Sequence, residues 1–195
     1  MGKTTVCQAV AKLARRRGYR PGGVITPALY ACPEPVLSRV EGRSRRDSHG
    51  AKLGFEAVDV GSGKRWPLAR TDPSTILRQG SGHGRELGGP RVGPYIFDPA
   101  ALDRALRVLR RAATAECDLF MIDEIGPLEL EQGEGFAPIL DLLPVKGPTN
   151  TLIVVRPALL DQLLLHLRDT ESAVFSVTEE NRDELPLRIV EKLWE

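Results

Sequence analysis

Short apolar runs alternate with longer amphipathic stretches along most of this chain. The runs have the length of β-strands and end in turn residues, whereas the stretches carry apolar residues three and four positions apart, which is typical of helices packed on one face. Strands that alternate with helices favour an α/β fold with a mostly parallel central sheet. Strands are predicted over 23–30, 54–60, 66–70, 91–97, 118–124, 151–155 and 173–177, and helices over 4–17, 99–109, 136–143, 157–167 and 186–193.

The strands predicted over 23–30 and 54–60 form a β-hairpin with a long loop. Pro27 indicates an edge or a bulge in the first strand, because proline has no N–H to donate to a neighbouring strand. The loop, residues 31–50, is polar and carries a basic run. Long loops are usually either functional or disordered, and we favour a disordered insertion over a basic binding arm. A second loop is predicted over 71–89, either mobile and near the site or a surface excursion.

The most informative stretch is the apolar run at 119–122, which ends in the adjacent carboxylates of Asp123 and Glu124. A short apolar run bounded by turn residues is typical of a parallel strand that is buried on both faces. Ligands bind at the carboxyl ends of such strands. One carboxylate there can hold a metal ion while the other acts on a water molecule. The alternative is a buried strand that ends in a solvated acidic turn.

Gly2, Lys3, Thr4 and Thr5 open the first predicted helix. A Gly-Lys-Thr sequence at the start of a helix is the second half of a phosphate-binding loop, in which backbone amides and the helix N-terminus attract phosphate. The lysine of such a loop reaches the terminal phosphates, and the threonine hydroxyl is a ligand of Mg²⁺. A match of only four residues can occur by chance, so the evidence for a phosphate-binding loop depends on the strand that ends in Asp123 and Glu124. Together the two patterns make all four residues candidates for nucleotide binding.

The first half of the phosphate-binding loop does not precede Gly2. The complete pattern has a further glycine and four residues before the Gly-Lys-Thr, and an apolar strand before them. Met1 stands directly before Gly2 instead. We therefore expect that Met1 is an internal methionine, that the natural chain is longer at its amino end, and that the first strand of the sheet lies in that missing segment. An in-frame stop codon directly upstream of Met1 would contradict this expectation.

Composition narrows the function further. With 195 residues, of which 42% are hydrophobic and 27% charged, the chain is expected to form one ordinary globular domain over 1–195. The net charge of +1 gives no reason to expect nucleic acid or an anionic membrane as a partner. No apolar run approaches about 18 residues, and the three cysteines and three histidines lack metal-ligand spacing. We therefore expect reduced thiols, no membrane association and a cytoplasmic location.

Several motifs occur in an order that resembles the nucleoside-triphosphatase family that includes the cancer-related nucleoside-triphosphatase and its thermophile relatives. The similarity covers nearly the whole chain apart from the 31–50 insertion and the segment expected before Met1. The Asp-Glu-Ile-Gly and Arg-Val-Gly-x-Tyr motifs are specific, because neither is a general feature of P-loops. The motifs are Gly2–Thr5, Gly54–Asp59, Arg91–Tyr95, Ile122–Leu130 and Val177–Arg182.

The resemblance implies a P-loop fold, which is a three-layer α/β sandwich, and Mg²⁺-dependent hydrolysis of nucleoside triphosphates to diphosphates with a loose preference for the base. It implies that Lys3 contacts the β- and γ-phosphates and that Thr4 and Asp123 hold Mg²⁺, the second through water. Glu124 would orient or deprotonate the attacking water. Phosphoryl transfer depends mostly on positioning and on neutralising charge, so these roles suit the residue types.

Three further residues are weaker candidates. Arg91 follows a glycine-rich stretch and is a candidate for stabilising the transition state, with a surface salt bridge at a strand start as the alternative. The resemblance makes Asn181 and Arg182 candidates for contacts to the base or ribose. Helix capping explains Asn181 nearly as well.

Two other functions stay open. A P-loop kinase would transfer the phosphoryl group to a small molecule, but a kinase needs an acceptor pocket and usually an arginine-rich lid, and a glutamate directly after Asp123 favours water as the acceptor. The second alternative is a nucleotide-binding regulator or remnant that does not hydrolyse its ligand. For each function we expect nucleoside triphosphates as the binding partners and a monomeric chain.

Overall fold

The computed structural model describes residues 2–31, 51–71, 88–114, 117–143, 150–168 and 170–195. Helices and strands are mixed along this part of the chain, which confirms the α/β class. The helices are α1 (Lys3–Arg16), α2 (Pro99–Thr114), α3 (Pro127–Leu130), α4 (Ala137–Leu140), α5 (Leu160–His166) and α6 (Leu185–Leu193), with a 3-10 turn at Pro157–Leu159. The strands are β1 (Pro21–Ile25), β2 (Ala28–Tyr30), β3 (Lys52–Asp59), β4 (Arg65–Thr71), β5 (Arg91–Val92), β6 (Tyr95–Phe97), β7 (Leu119–Ile125) and β8 (Thr151–Val155).

These strands form one sheet in the order β5-β6-β4-β3-β1-β7-β8, with β2 paired to β3. The neighbours β1, β7 and β8 run parallel, so that Val24 pairs with Ile122 and Ile122 pairs with Ile153. The hairpin strands continue the sheet from β1 with antiparallel pairs. The carboxyl ends of β1, β7 and β8 therefore meet at one edge of the sheet, where open α/β sheets bind their ligands.

The predicted hairpin is present, but its first strand is divided. The stretch 23–30 is split between β1 and β2, and both pair antiparallel with β3. The regular pairing is interrupted at Pro27, which has no N–H to donate, although its carbonyl oxygen still accepts the Glu56 N–H at 3.0 Å. A similar division separates β5 from β6 at Gly93, whose φ of 57° suits a tight turn. Nearly all of the predicted loops 31–50 and 71–89 lie outside the described residues.

β7 lies between two apolar layers. Successive residues of a strand point to opposite faces. Leu119 and Met121 belong to the layer of α1 and α6, whereas Phe120 and Ile122 belong to the layer of α2. The first layer also contains Val6, Val10, Leu185, Ile189 and Val190, and the second contains Leu102, Ala105 and Leu109. Helices thus cover the sheet on both faces, which is the three-layer sandwich expected of the family.

The helices begin where local signals predict. The Asp98 carboxylate accepts hydrogen bonds from the backbone N–H groups of Ala100 and Ala101 at 2.9 and 3.3 Å, which caps α2. Pro99 and Pro186 lie in the first turns of α2 and α6, where a missing N–H costs nothing. In the described ranges, none of the helices combines the length and the apolar character needed to cross a bilayer. The cytoplasmic location stays a prediction.

The prediction of a last strand over 173–177 is wrong, since the structure places no strand there. Phe175 and Val177 pack against the layer of α1 and α6, so their alternating spacing reflects partial burial. This stretch and β8 line a common cleft and do not pair. A strand needs a neighbouring backbone edge as well as an apolar face, and periodicity reports only the face.

Candidate functional site

Asp123 lies near the carboxyl end of β7 and is buried, with 1% of its surface exposed. Its Oδ2 atom accepts a hydrogen bond from the backbone N–H of Thr26 at 3.1 Å. The Thr26 hydroxyl donates in turn to the Asp123 carbonyl oxygen at 3.4 Å. Because Thr26 directly follows β1, the ends of two adjacent parallel strands hold this carboxylate in place.

The surroundings of Asp123 disfavour an isolated negative charge. Burial raises the pKa of the Asp123 carboxyl, and the nearby charge of Glu124 adds to the rise. Hydrogen bonds from the Thr26 backbone and the Thr4 side chain, together with the charge of Lys3, act in the opposite direction without cancelling the effect of burial. A cation placed at this carboxylate would favour its charged form.

The start of α1 lies close to Asp123, since Lys3 and Thr4 both lower the pKa of its carboxyl. Thr4 hydrogen-bonds this carboxylate, and Lys3 acts on it through charge. Gly2 precedes the helix with a φ of 126°, a conformation that residues with side chains rarely adopt. Thr5 is exposed on the first turn. The Gly-Lys-Thr sequence and the acidic pair, far apart in the chain, thus meet at one edge of the sheet.

Glu124, the second carboxylate, has an unusual backbone conformation. Its φ is 72°, and no other non-glycine residue in the described ranges has a positive φ. The pairing of β7 with β8 shifts its register between Ile122 and Ile125, so the ladder is interrupted at the acidic pair. A left-handed conformation costs a residue with a side chain about 1–3 kcal/mol and is found preferentially at functional sites. The strain therefore makes Glu124 a candidate for a functional position.

The Glu124 side chain is paired with Arg156, a residue that the sequence analysis missed. The distance from Arg156 Nη2 to Glu124 Oε1 is 3.3 Å, and the two side chains are 48% and 32% exposed. Arg156 directly follows β8, the strand next to β7. In the sequence, Arg156 is the first charged residue after an apolar run, which is a signal for a site residue. Its closeness to Glu124 follows only from the strand order, in which β8 neighbours β7.

A small pocket of about 40 Å³ opens beside Glu124 and Arg156. The Lys52 Nζ atom lies 3.8 Å from the centre of the Phe55 ring and 5.2 Å from that of Tyr95. Burial lowers the pKa of Lys52, with Glu124 raising it and Arg156 lowering it further. Apart from Glu124, none of the residues that line this pocket was predicted individually as a site residue. The pocket walls include Phe55, Leu68, Tyr95, Phe97, Leu102 and Phe136.

Glu129 ties down the chain that follows β7. Its Oε2 accepts the backbone N–H of Gly126 at 2.9 Å, and its Oε1 accepts that of Phe136 at 3.2 Å. Burial raises the pKa of Glu129 to about 7, although these backbone hydrogen bonds oppose the rise. Because both carboxylate oxygens accept backbone donors, Glu129 acts as a structural brace beside the pocket.

Of the weaker candidates, Arg182 lies near the start of α1, whereas the Asn181 side chain makes local hydrogen bonds. The Arg182 side chain lies against Gly2, since a Cβ added to Gly2 would be 3.5 Å from Arg182 Cδ. Asn181 uses its side chain locally: Oδ1 accepts the Thr178 N–H at 2.9 Å, and Nδ2 donates to the Ser176 carbonyl at 2.8 Å. The Asn181 side chain therefore stabilises a local turn and does not cap α6, whose N-cap residue is Glu184, so the capping alternative is wrong. Contact of Asn181 with a base or ribose stays a prediction.

Arg91, the third of these candidates, lies on the exposed strand β5 at the end of the sheet. The adjacent residue, Val92, lines the pocket beside Glu124. The sheet therefore curls enough to bring Val92 of β5 to the pocket beside Glu124, whereas Arg91, as the preceding strand residue, points to the opposite face. Its role in the reaction stays a prediction.

A Gly-Lys-Thr sequence that opens a helix beside the acidic end of a buried parallel strand defines the class of P-loop nucleotide-binding proteins. A family model described as NTPase matches residues 39–190, most of this chain. Curated relatives match it over nearly its whole length and carry the name nucleoside-triphosphatase. The chain belongs to the nucleoside-triphosphatase family.

Three of these relatives come from organisms of three different genera. The nucleoside-triphosphatase THEP1 of Methanopyrus kandleri is 32% identical over 197 residues, which cover 100% of this chain and 91% of the relative. The protein of the same name from Hyperthermus butylicus is 35% identical, over 98% of this chain and 84% of the relative. That of Methanothermobacter thermautotrophicus is 30% identical, over 98% and 90%. No solved structure matches the chain.

Proposed function

We propose that this protein hydrolyses nucleoside 5′-triphosphates to diphosphate and phosphate, with Mg²⁺ as cofactor and a loose preference for the base. The observation that carries the proposal is the meeting of Lys3 and Thr4 with the Asp123 carboxylate at the ligand-binding edge of the sheet. The names of the relatives, all nucleoside-triphosphatases, support the same reaction. A monomeric, cytoplasmic enzyme stays part of this proposal.

The triphosphate binds at the start of α1. The first backbone N–H groups of a helix have no partner within it, and the helix dipole favours negative charge there. Gly2 lets the backbone approach the phosphates closely, Lys3 contacts the β- and γ-phosphates, and Thr5 extends the same turn. Arg182 lies beside Gly2, which supports a contact with the ribose or base. Asn181 would join it there only by exchanging its hydrogen bonds to Thr178 and Ser176.

The residues present suit Mg²⁺. This ion prefers oxygen ligands and is bound by one or two carboxylates together with substrate phosphates and water. Thr4 and Asp123 supply a hydroxyl and a buried carboxylate beside each other. Because burial raises the pKa of Asp123, a bound cation would stabilise the charged form of its carboxylate. Bound there, Mg²⁺ would neutralise charge on the phosphates.

Glu124 accepts the proton of the attacking water. The water oxygen forms a bond to the γ-phosphorus while the bond from that phosphorus to the β–γ bridging oxygen breaks, which leaves the nucleoside diphosphate. Lys3 and Arg91 stabilise the charge that develops on the phosphoryl group. The strained backbone of Glu124 supports this role, because it directs the carboxylate away from the regular strand ladder.

The test is phosphate release by the full chain from ATP, GTP, CTP and UTP, with and without Mg²⁺. We expect turnover of each nucleotide to lie within about tenfold of the others, since a site without base-specific contacts discriminates weakly. Removing Mg²⁺ with EDTA abolishes release. Glu124→Gln lowers kcat by about 100-fold or more, the usual contribution of a general base.

Glu131→Gln is the matched control, because it makes the same change at an exposed carboxylate a few residues further along the chain. It retains wild-type turnover. Equal rates for wild type and Glu124→Gln would refute the assigned role of Glu124, and tight nucleotide binding without turnover would favour a regulator instead of an enzyme.

Phosphotransfer to a small molecule is the second candidate function, with the pocket beside Glu124 as the place where an acceptor would have to bind. The pocket is bordered by the carboxylate that would accept the acceptor's proton, and its walls are largely aromatic and aliphatic. A kinase would release little phosphate until an alcohol was added, whereas a hydrolase needs only water. Phosphate release in buffer without an added acceptor therefore separates the two functions.

A further inference from the structure

The contact between Arg156 and Glu124 joins the carboxyl ends of two neighbouring parallel strands. Arg156 directly follows β8. Glu124 is the penultimate residue of β7, where the pairing of β7 with β8 shifts its register. The guanidinium Nη2 and the carboxylate Oε1 are 3.3 Å apart. Both side chains are partly exposed, and an ion pair this open to water adds little to folding stability. Folding stability therefore does not explain this ion pair.

The backbone of Arg156 is held on both sides. It leaves β8 in an extended conformation, with φ −75° and ψ 141°, as a residue before proline prefers. Its carbonyl oxygen accepts the N–H of Leu159 at 2.9 Å, which closes the turn that follows. The side chain thus starts from a rigid base. The ion pair with Glu124 therefore extends from a fixed backbone and restricts the directions open to the carboxylate.

Glu124 needs such a restraint. Its backbone is already strained, with φ at 72°, and its side chain stands at the mouth of a pocket among several charged or titratable groups. Its charge acts on Lys52 of β3, Tyr95 of β6 and the carboxyls of Asp123 and Glu129. Without Arg156, the Glu124 carboxylate loses this ion pair, and the nearby positive charge of Lys52 would still act on it.

We infer that Arg156 is a positioning residue for NTP hydrolysis: its guanidinium holds the Glu124 carboxylate in the direction from which it acts on the attacking water. The inference rests on the proposed function and adds a residue to it. Arg156 exerts its effect through Glu124 and is not assigned a contact with the nucleotide. Misplacing a reacting group by about 1 Å can slow a reaction by about 100-fold, so this role is measurable.

The test is a double-mutant cycle on turnover with Arg156→Ala and Glu124→Gln. If Arg156 acts through Glu124, Arg156→Ala alone lowers kcat by about 10-fold or more, with KM for the nucleotide changed less than about twofold. In the Glu124→Gln background the same substitution has no further effect, because two residues that act as a unit are not additive. Arg156→Lys, which keeps the charge but loses the planar fork, recovers part of kcat.

The matched control is Arg65→Ala. Arg65 pairs with Glu56 at 3.2 Å on the same sheet and is similarly exposed, so its loss removes an ordinary surface ion pair. It leaves kcat at the wild-type value. An unchanged kcat in Arg156→Ala, or an equal loss of kcat in both backgrounds, would overturn the inference while leaving the proposed function intact. If Glu124→Gln itself turns over like wild type, the role of Glu124 is refuted and the inference falls with it, whereas the proposed function fails if the wild-type protein releases no phosphate.

Discussion

Thr26 and Asp123 are joined twice, by the bond from the Thr26 N–H to the carboxylate and by the bond from the Thr26 hydroxyl to the Asp123 carbonyl. The two residues lie at the ends of β1 and β7 and are both buried. This pair sets the position of the carboxylate relative to the sheet. The backbone bond survives any side-chain substitution, so the hydroxyl bond is the part that a variant can remove.

Thr26→Val is expected to destabilise the protein by about 1 kcal/mol, because it replaces the hydroxyl with a methyl group of the same shape and leaves a buried carbonyl without its donor. Urea unfolding of wild type and variant measures the difference. Thr71→Val is the control: its hydroxyl bonds the Leu53 carbonyl at 3.3 Å, but at an exposed position. A loss as large at Thr71 as at Thr26 would show that burial is not the cause.

Gly23 allows β1 to lie against β7. Its φ is 105°, and a Cβ added there would lie 2.0 Å from the Met121 carbonyl oxygen, a backbone atom that cannot move aside. Gly23→Ala is therefore expected to cost about 4 kcal/mol or more, in the range where single substitutions reflect a named steric cause. Chemical denaturation, or loss of expression as folded protein, measures this.

Gly63→Ala provides the comparison for Gly23. Gly63 also has a positive φ, of 73°, but an added Cβ would meet nothing within 4 Å. Only the left-handed conformation is penalised, at about 1–2 kcal/mol. Similar losses for the two alanine variants would mean that the contact with Met121 relaxes easily.

Much of the fold could be predicted because burial leaves a periodic trace in the sequence. The run at 119–122 predicted a strand covered on both faces, and its residues divide between two apolar layers. The end of that run predicted where Asp123 would lie. The same reasoning failed at 173–177, where alternating apolar residues are partly buried but have no strand beside them with which to pair.

The surroundings of Glu124 could not be predicted in the same way. Arg156, Lys52 and Tyr95 reach this carboxylate from three different strands, and their order in the sheet is set by pairing between distant segments. A single residue's left-handed backbone likewise leaves no periodic signal, and glutamate is not a residue type that suggests it. Local patterns predict which residues are buried, whereas these neighbours depend on tertiary structure.

Glu129 gives folding stability a dependence on pH. Burial raises its pKa to about 7 in the folded protein, from 4.5, so the folded state binds this proton more tightly than the unfolded chain does. The resulting stability is complete below about pH 4.5 and is lost as the pH rises through about 7, with a size on the order of 3 kcal/mol. Asp123, whose pKa is also raised, contributes with the same sign.

Glu129→Gln should flatten this dependence, because an amide does not titrate. Urea unfolding from about pH 5 to about pH 8 would show a smaller fall in stability for the variant than for wild type. The variant is less stable than wild type at the lower pH, since its NH₂ group faces one of the two backbone donors that Glu129 accepts. Glu131→Gln, at an exposed position, keeps the wild-type slope, and identical slopes for all three proteins would contradict the assignment to Glu129.

The left-handed backbone of Glu124 predicts an inverted ranking of glycine and alanine. Alanine normally stabilises a protein relative to glycine by about 0.5–1 kcal/mol, since glycine loses more conformational freedom on folding. At φ 72° the alanine retains the strain and the glycine relieves it. Glu124→Gly should therefore be more stable than Glu124→Ala by about 1 kcal/mol, while both lose turnover equally because both lack the carboxylate.

Glu131 supplies the reference pair for this comparison. Its backbone is right-handed, with φ −104° and ψ −35°, so Glu131→Gly should be less stable than Glu131→Ala in the ordinary direction. Thermal or urea unfolding of the four variants measures both differences under one set of conditions. If glycine is the less stable substitution at both positions, the strain at Glu124 is absent in solution. If the ranking inverts only at Glu124, the protein holds its candidate catalytic carboxylate in a conformation that lowers folding stability, which is the cost expected of a residue retained for activity.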